Sequence, residues 1–96
     1  MRYAVCVTFK IVPEHWNIFV DLVKRNAKTS KVLEKDCLQF DVCTNKMYPY
    51  EVFLYEIYAS PEAFNAHLRS SHFRDFDAEA SMMIADKQVK TYFLVD

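Results

Sequence analysis

The 96-residue chain contains no glycine, and this absence excludes more chemistry than any residue that is present. Dinucleotide sites and P-loops need glycine for tight turns and for close approach of the backbone to phosphate. Neither can be built here. The three cysteines, Cys6, Cys37 and Cys43, form no Cys-x-x-Cys pair and have no histidine beside them. Structural zinc and a disulfide framework are therefore not expected, and the thiols read as buried strand residues. The N-terminal apolar run is broken by Lys10, too short to span a bilayer, and lacks a signal-peptide cleavage pattern. Cytoplasmic residence is the expectation. A net charge of −1 with mixed signs offers no field for nucleic acid or a membrane surface.

What the chain does have is apolar bulk. Hydrophobic residues make up 52% and aromatics 16%, too much for disorder. One domain over residues 1–96 is expected, burying ~60–70% of its extended-chain surface.

The periodicities alternate between two kinds. Tyr3, Val5, Val7, Phe9 and Ile11 recur at the spacing of a strand, which Val12-Pro13 ends. Trp16, Phe19, Val20, Val23, Ala27, Ser30 and Leu33 then recur at helical spacing, predicting a helix over 14–34. Residues 37–44 form a second strand with Leu38, Phe40 and Val42 on one face. A turn over 45–50 leads to a third strand at 51–58. Ser60 caps a second helix with Pro61 at its first position, and Ser70-Ser71 interrupts and recaps it into a piece reaching Met83. A last strand covers 87–95. The order βαββαβ predicts an α+β, ferredoxin-like fold with an antiparallel sheet covered by helices on one side.

A sheet covered on one side should alternate apolar and polar residues, and this one does not. Val52, Leu54 and Tyr58 back onto Phe53, Tyr55 and Ile57, while Val89, Phe93 and Val95 back onto Tyr92 and Leu94. A second copy of the chain covering the other face is the expected remedy.

Several residues could carry chemistry. Glu56 stands among Leu54, Ile57 and Tyr58, where desolvation would raise its pKa into the working range of an acid or base. A strand glutamate paired at the sheet edge is the competing reading. His67 shares a helical face with Phe64, and His72 follows two serines at a helix start, where the dipole favours neutral imidazole. Either could move protons, and either could be a surface histidine. Their spacing lacks the i, i+4 pattern and flanking glutamate of HExxH, so no metal site is expected. Asn26 interrupts the inner face of the first helix as a substrate hydrogen-bond donor or an edge residue. The phenylalanines, Phe40 and Phe73 among them, read as core with a few walling a cavity. No spacing indicates a covalent nucleophile.

The segments FDV at 40–42, FLYEIY at 53–58, AFNAH at 63–67 and SSHF at 70–73 resemble the antibiotic-biosynthesis-monooxygenase superfamily of small dimeric α+β barrels. The resemblance extends through the first strand and helix. It is nearest to the branch holding quinol monooxygenases and the isomerase of a phosphorylated dihydroxypentanedione quorum signal. It implies a homodimer with a pocket between helices and sheet in each protomer. It implies Asn26, Glu56, Tyr58, His67 and His72 as pocket residues. Taken with the reading of the residues above, Glu56, His67 and His72 are expected to be catalytic, and Asn26, Phe40, Tyr58 and Phe73 substrate-binding. The haem-degrading branch is similar in fold but uses an Asn–Trp–His set, and the sole tryptophan here, Trp16, lies early in the first helix.

Three functions follow from this. A cofactor-independent monooxygenase would oxidise a small quinol or phenol-like aromatic to a quinone with dioxygen. An isomerase would move protons on a small phosphorylated hydroxyketone, for which Lys24, Arg25, Lys28 and Arg69 are the available cations. A non-catalytic ligand-binding dimer would need neither. The expectation is the monooxygenase, with no metal, flavin, haem or nicotinamide, and with no nucleic-acid or membrane partner.

Overall fold

A computed structural model describes residues 1–95. The chain runs β1 (Tyr3–Ile11), α1 (Trp16–Leu33), β2 (Cys37–Asn45), β3 (Tyr48–Tyr58), α2 (Pro61–Leu68), α3 (Ser71–Ala80) and β4 (Ile84–Phe93). The strands form one antiparallel sheet in the order β2-β3-β1-β4, with β1 between β3 and β4. This is the βαββαβ ferredoxin-like arrangement, with its second helical connection split into α2 and α3. Among the described residues no helix is long and apolar enough to cross a membrane.

Alternation builds the core. Val5, Val7, Phe9 and Ile11 of β1 and Val52, Leu54 and Tyr58 of β3 are buried on the helix side, against Phe19, Leu22, Val23 and Ala27 of α1. Phe9, Phe19 and Phe76 stack edge-on or tilted, with centroids 5.2 and 5.9 Å apart along the chain of contacts. The opposite face of the sheet has no helix. There Phe53, Tyr92 and the partly covered Tyr55 face outward, although Ile57 is shielded by its neighbours.

Local chemistry sets the ends of the helices. Pro13 opens a 3-10 turn over Pro13–His15, so the regular helix starts later than its apolar spacing predicts. With no glycine to close it in a left-handed residue, α1 ends on extended Glu34, whose N–H bonds to the Ser30 carbonyl at 2.9 Å. Ser60 and Ser70 cap α2 and α3, each accepting a backbone N–H at 3.2 Å.

Four expectations need correction. Leu38 does not join Phe40 and Val42: the β2–β3 register shifts between Cys37 and Gln39, leaving Leu38 51% exposed. The turn is shorter than 45–50, because Pro49 and Tyr50 already belong to β3, with Tyr50 held at φ 63°. The last strand begins at Ile84 and ends at Phe93, so Val95 lies beyond it. Among the thiols only Cys37 is buried; Cys43, near the turn of the β2–β3 hairpin, is exposed.

Candidate functional site

A cavity of about 270 Å³ lies between the helices and the sheet. Its wall is mostly apolar, with Phe40, Phe64, Phe73 and Phe76 among the rings, and only Asn26, Glu56, His67 and Lys87 bring polar atoms. Few polar groups converging in an apolar cavity is the usual composition of a small-molecule site.

Strand alternation places Glu56. It pairs with Val5 on one side and Phe40 on the other, and its side chain is 3% exposed beneath the helices. Burial is the main cause that pushes its carboxyl up, from an ordinary 4.5 to about 7. The Tyr58 hydroxyl, donating to Oε1 at 2.5 Å, and the Lys87 charge pull the other way, while Glu34 adds to the rise. At neutral pH this carboxyl is therefore poised between acid and base.

His67 ends α2 inside a cage of rings. Phe40, Tyr58, Phe64 and Phe73 all have centroids within 5.1 to 6.3 Å of its imidazole, which is 2% exposed. Burial lowers its pKa, and the neighbouring His72 adds to that, against the raising effect of Glu34. Its Nδ1 lies 2.8 Å from Glu34 Oε2. A carboxylate can only accept, so Nδ1 carries the proton. In the neutral ring Nε2 then holds a lone pair, and it has no protein partner among the described residues.

Glu34 was not singled out from the sequence, yet it joins both histidines. The same Oε2 lies 2.5 Å from His72 Nε2. This meeting depends on two chain ends. The extended Glu34 closes α1, and the Asp36 carbonyl that follows ties to the Ala59 N–H at 2.9 Å, beside the start of α2. Ser70 makes the break between α2 and α3 by donating to the His67 carbonyl at 2.7 Å while capping Phe73. That break sets His67 and His72 with ring centroids 5.8 Å apart. A signal was available: Val23, Ala27, Ser30 and Glu34 fall on one helical stripe, whereas Leu33, placed there by the apolar pattern, is exposed.

Asn26 sits in the buried stripe of α1 and lines the cavity, 5% exposed. Its Oδ1 is buried without a hydrogen-bond partner among the described residues, while its backbone carbonyl accepts from Ser30 Oγ at 2.7 Å. An orphaned buried amide oxygen is costly and is normally answered by water or ligand.

The residues named from the sequence thus divide. Asn26, Phe40, Glu56, His67 and Phe73 line the cavity together. Tyr58 lies behind Glu56, fully buried, and acts on it through its hydroxyl. His72 lies outside, against a second and more polar cleft between α1 and α3 that Arg25, Thr29, Asp75 and Glu79 also line. Lys24, Lys28 and Arg69 border neither space. Glu34, His67 and His72 could also hold a divalent ion, since their donor atoms lie within 4.8 Å of one another. The ion would have to replace the protons that now bind both nitrogens to one carboxylate oxygen.

A family model described as antibiotic biosynthesis monooxygenase matches residues 2–79. No curated protein matches the chain. Among solved structures, a candidate antibiotic biosynthesis monooxygenase from Caulobacter crescentus superposes with a TM-score of 0.94 at 22% identity, covering 99% of this chain and 91% of that one. A protein from Mycobacterium tuberculosis gives 0.91 at 21% identity, covering 100% and 97%. A candidate antibiotic biosynthesis monooxygenase from Nitrosomonas europaea gives 0.90 at 20% identity, covering 95% and 88%. At these identities the likeness is one of fold.

Proposed function

The chain belongs to the antibiotic biosynthesis monooxygenase family, and on that premise we propose that it is a cofactor-independent monooxygenase oxidising a small quinol or phenol-like aromatic to a quinone. The observation that carries this reading is a cavity-lining imidazole whose Nε2 has no hydrogen-bond partner among the described residues, in an apolar cavity shared with a carboxyl whose pKa is raised to about 7.

Each residue has a role in a balanced sequence. His67 Nε2 removes the ring hydroxyl proton, and Glu34 holds the resulting imidazolium by its Nδ1–H. The Asn26 amide hydrogen-bonds the developing phenolate oxygen. The electron-rich ring reduces dioxygen, and a carbon–oxygen bond forms at a ring carbon to give a peroxide. Loss of the proton on that carbon then breaks the O–O bond. One oxygen stays as the new carbonyl. The other, already protonated by the imidazolium, leaves as water with a second proton from Glu56, which the proton lost from the ring carbon replaces by way of His67. The apolar wall excludes bulk water, which would quench the intermediates.

The bare sheet face supports a homodimer, since Phe53 and Tyr92 are both large and exposed there. Lys24, Arg25, Lys28 and Arg69 all lie outside the cavity, leaving Lys87 as the one cation on its wall among the described residues, which counts against the phosphate alternative. Oxygen uptake by purified protein, followed with electron-rich phenols and quinols, tests the reading. Uptake stoichiometric with quinone formation is expected. Proton exchange on a hydroxyketone without oxygen uptake would replace it with the isomerase.

A further inference from the structure

The four polar side chains of the cavity are not evenly spread. Asn26, Glu56 and His67 are buried at its floor, whereas Lys87 is exposed and comes from the edge strand β4. The register fixes their separation. Glu56 pairs with Val5 and Lys87 with Phe9, on opposite sides of β1. Four residues along a strand and two strand spacings across put their Cα positions about 16 Å apart. The side chains shorten that gap from both ends, because both line the same cavity. What remains suits one or two fused rings, consistent with a volume just under the usual lower limit for ligand pockets.

Lys87 is the sole cation on the cavity wall among the described residues. Its ammonium lies 5.6 Å from the centroid of Phe9, and it has no ion-pair partner among those residues. A ligand that fills the cavity against Phe9 strips water from this ammonium. A neutral ligand leaves that loss uncompensated, whereas an anionic group offsets it.

We propose that the cavity takes a hydroxylated aromatic carboxylate, its ring hydroxyl at the buried floor and its carboxylate on Lys87 at the rim. This rests on reading the cavity as the substrate site. The floor groups meet the hydroxyl, the phenylalanines sandwich the ring, and the lysine sets the ligand's direction. A point charge on a flexible stem tolerates variation in where the carboxylate sits. Lys87 thus selects among phenols without taking part in the chemistry.

Binding alone can test this, so the outcome does not depend on turnover. The probes are 6-hydroxy-2-naphthoate, 2-naphthol and 2-naphthyl phosphate, titrated calorimetrically at low ionic strength. The wild type should bind the hydroxynaphthoate about fivefold more tightly than 2-naphthol, as suits one partly exposed charge pair. Lys87→Met should abolish that preference, Lys87→Arg should keep it, and added salt should shrink it in the wild type. Equal binding of the two naphthyl probes, or a preference that survives Lys87→Met, overturns the proposal and leaves the cavity reading standing. Tighter binding of the phosphate ester overturns the carboxylate assignment. Failure of all three probes overturns the substrate-site reading together with the proposal.

Discussion

Strand β3 presents two faces that put the same kind of sequence to opposite uses. Toward the helices it places Val52, Leu54, Glu56 and Tyr58, all buried, with a carboxyl and a hydroxyl bonded to each other in the apolar interior. Away from them it places Phe53, Tyr55 and Ile57, large side chains with no helix above them, Phe53 being 37% exposed. One face spends stability to keep polar groups dry, and the other leaves apolar surface wet. Polar atoms in a core and apolar atoms in water are each unfavourable alone. Each becomes intelligible if something else arrives: a ligand on the first face, a second copy of the chain on the other.

The largest break in this comparison should come from the covered face. His67→Ala removes the proposed base, and turnover should fall by ~10²–10⁴ in single-substrate kinetics. Glu34→Gln keeps the size but loses the acceptor charge, so it should lower the rate less. A loss under about tenfold for His67→Ala would reduce the histidine to a structural role.

Glu56→Gln sharpens the comparison through stability. The folded state holds the Glu56 proton up to about 7, whereas the ordinary value is 4.5. Between those values the folded chain binds more protons than the unfolded one. The contribution is therefore full below about 4.5 and is lost as pH rises through about 7, amounting to about 3 kcal/mol. His67 runs the other way: with its pKa lowered, its contribution is present above the ordinary 6.5 and is lost as pH falls. Urea unfolding of wild type and Glu56→Gln at pH 5 and pH 8 isolates the first effect by difference. Equal pH dependence in the two proteins would show that the carboxyl is not desolvated.

The bare face should give the smallest of the three effects, and one confined to assembly. Phe53→Asp should weaken self-association by on the order of thirtyfold, read by sedimentation or light scattering. Circular dichroism should stay unchanged, since no helix packs there. A wild-type chain that is monomeric at micromolar concentration would remove the second copy from the comparison.

How much of this could be read from the residues depends on how local each cause is. Alternation at 3–11 and 51–58 and the helical stripe of 19, 23, 27 and 30 specified strands, helix and covered face, because side-chain period is a property of neighbouring residues. Ser60 and Ser70 were legible as caps for the same reason. Glu56 was conspicuous as a carboxylate flanked by large apolar and aromatic residues in its strand. The exposure of Leu38 was not legible, since a register shift belongs to the pairing of two strands rather than to either one.

The sequence by itself determined the order of elements and their amphipathic faces, and left open whether Glu56, His67 and Asn26 are enclosed on the helix side or lie at an edge. Only the tertiary structure decided that one oxygen of Glu34 would hold both His67 and His72, from 33 and 38 residues away. It also decided that His72 would face the second cleft while Lys87, from the last strand, reached the cavity. Periodicity says which way a side chain points from its own element. Which side chains then meet depends on where helices end and how strands align, and those are fixed only when the whole chain packs.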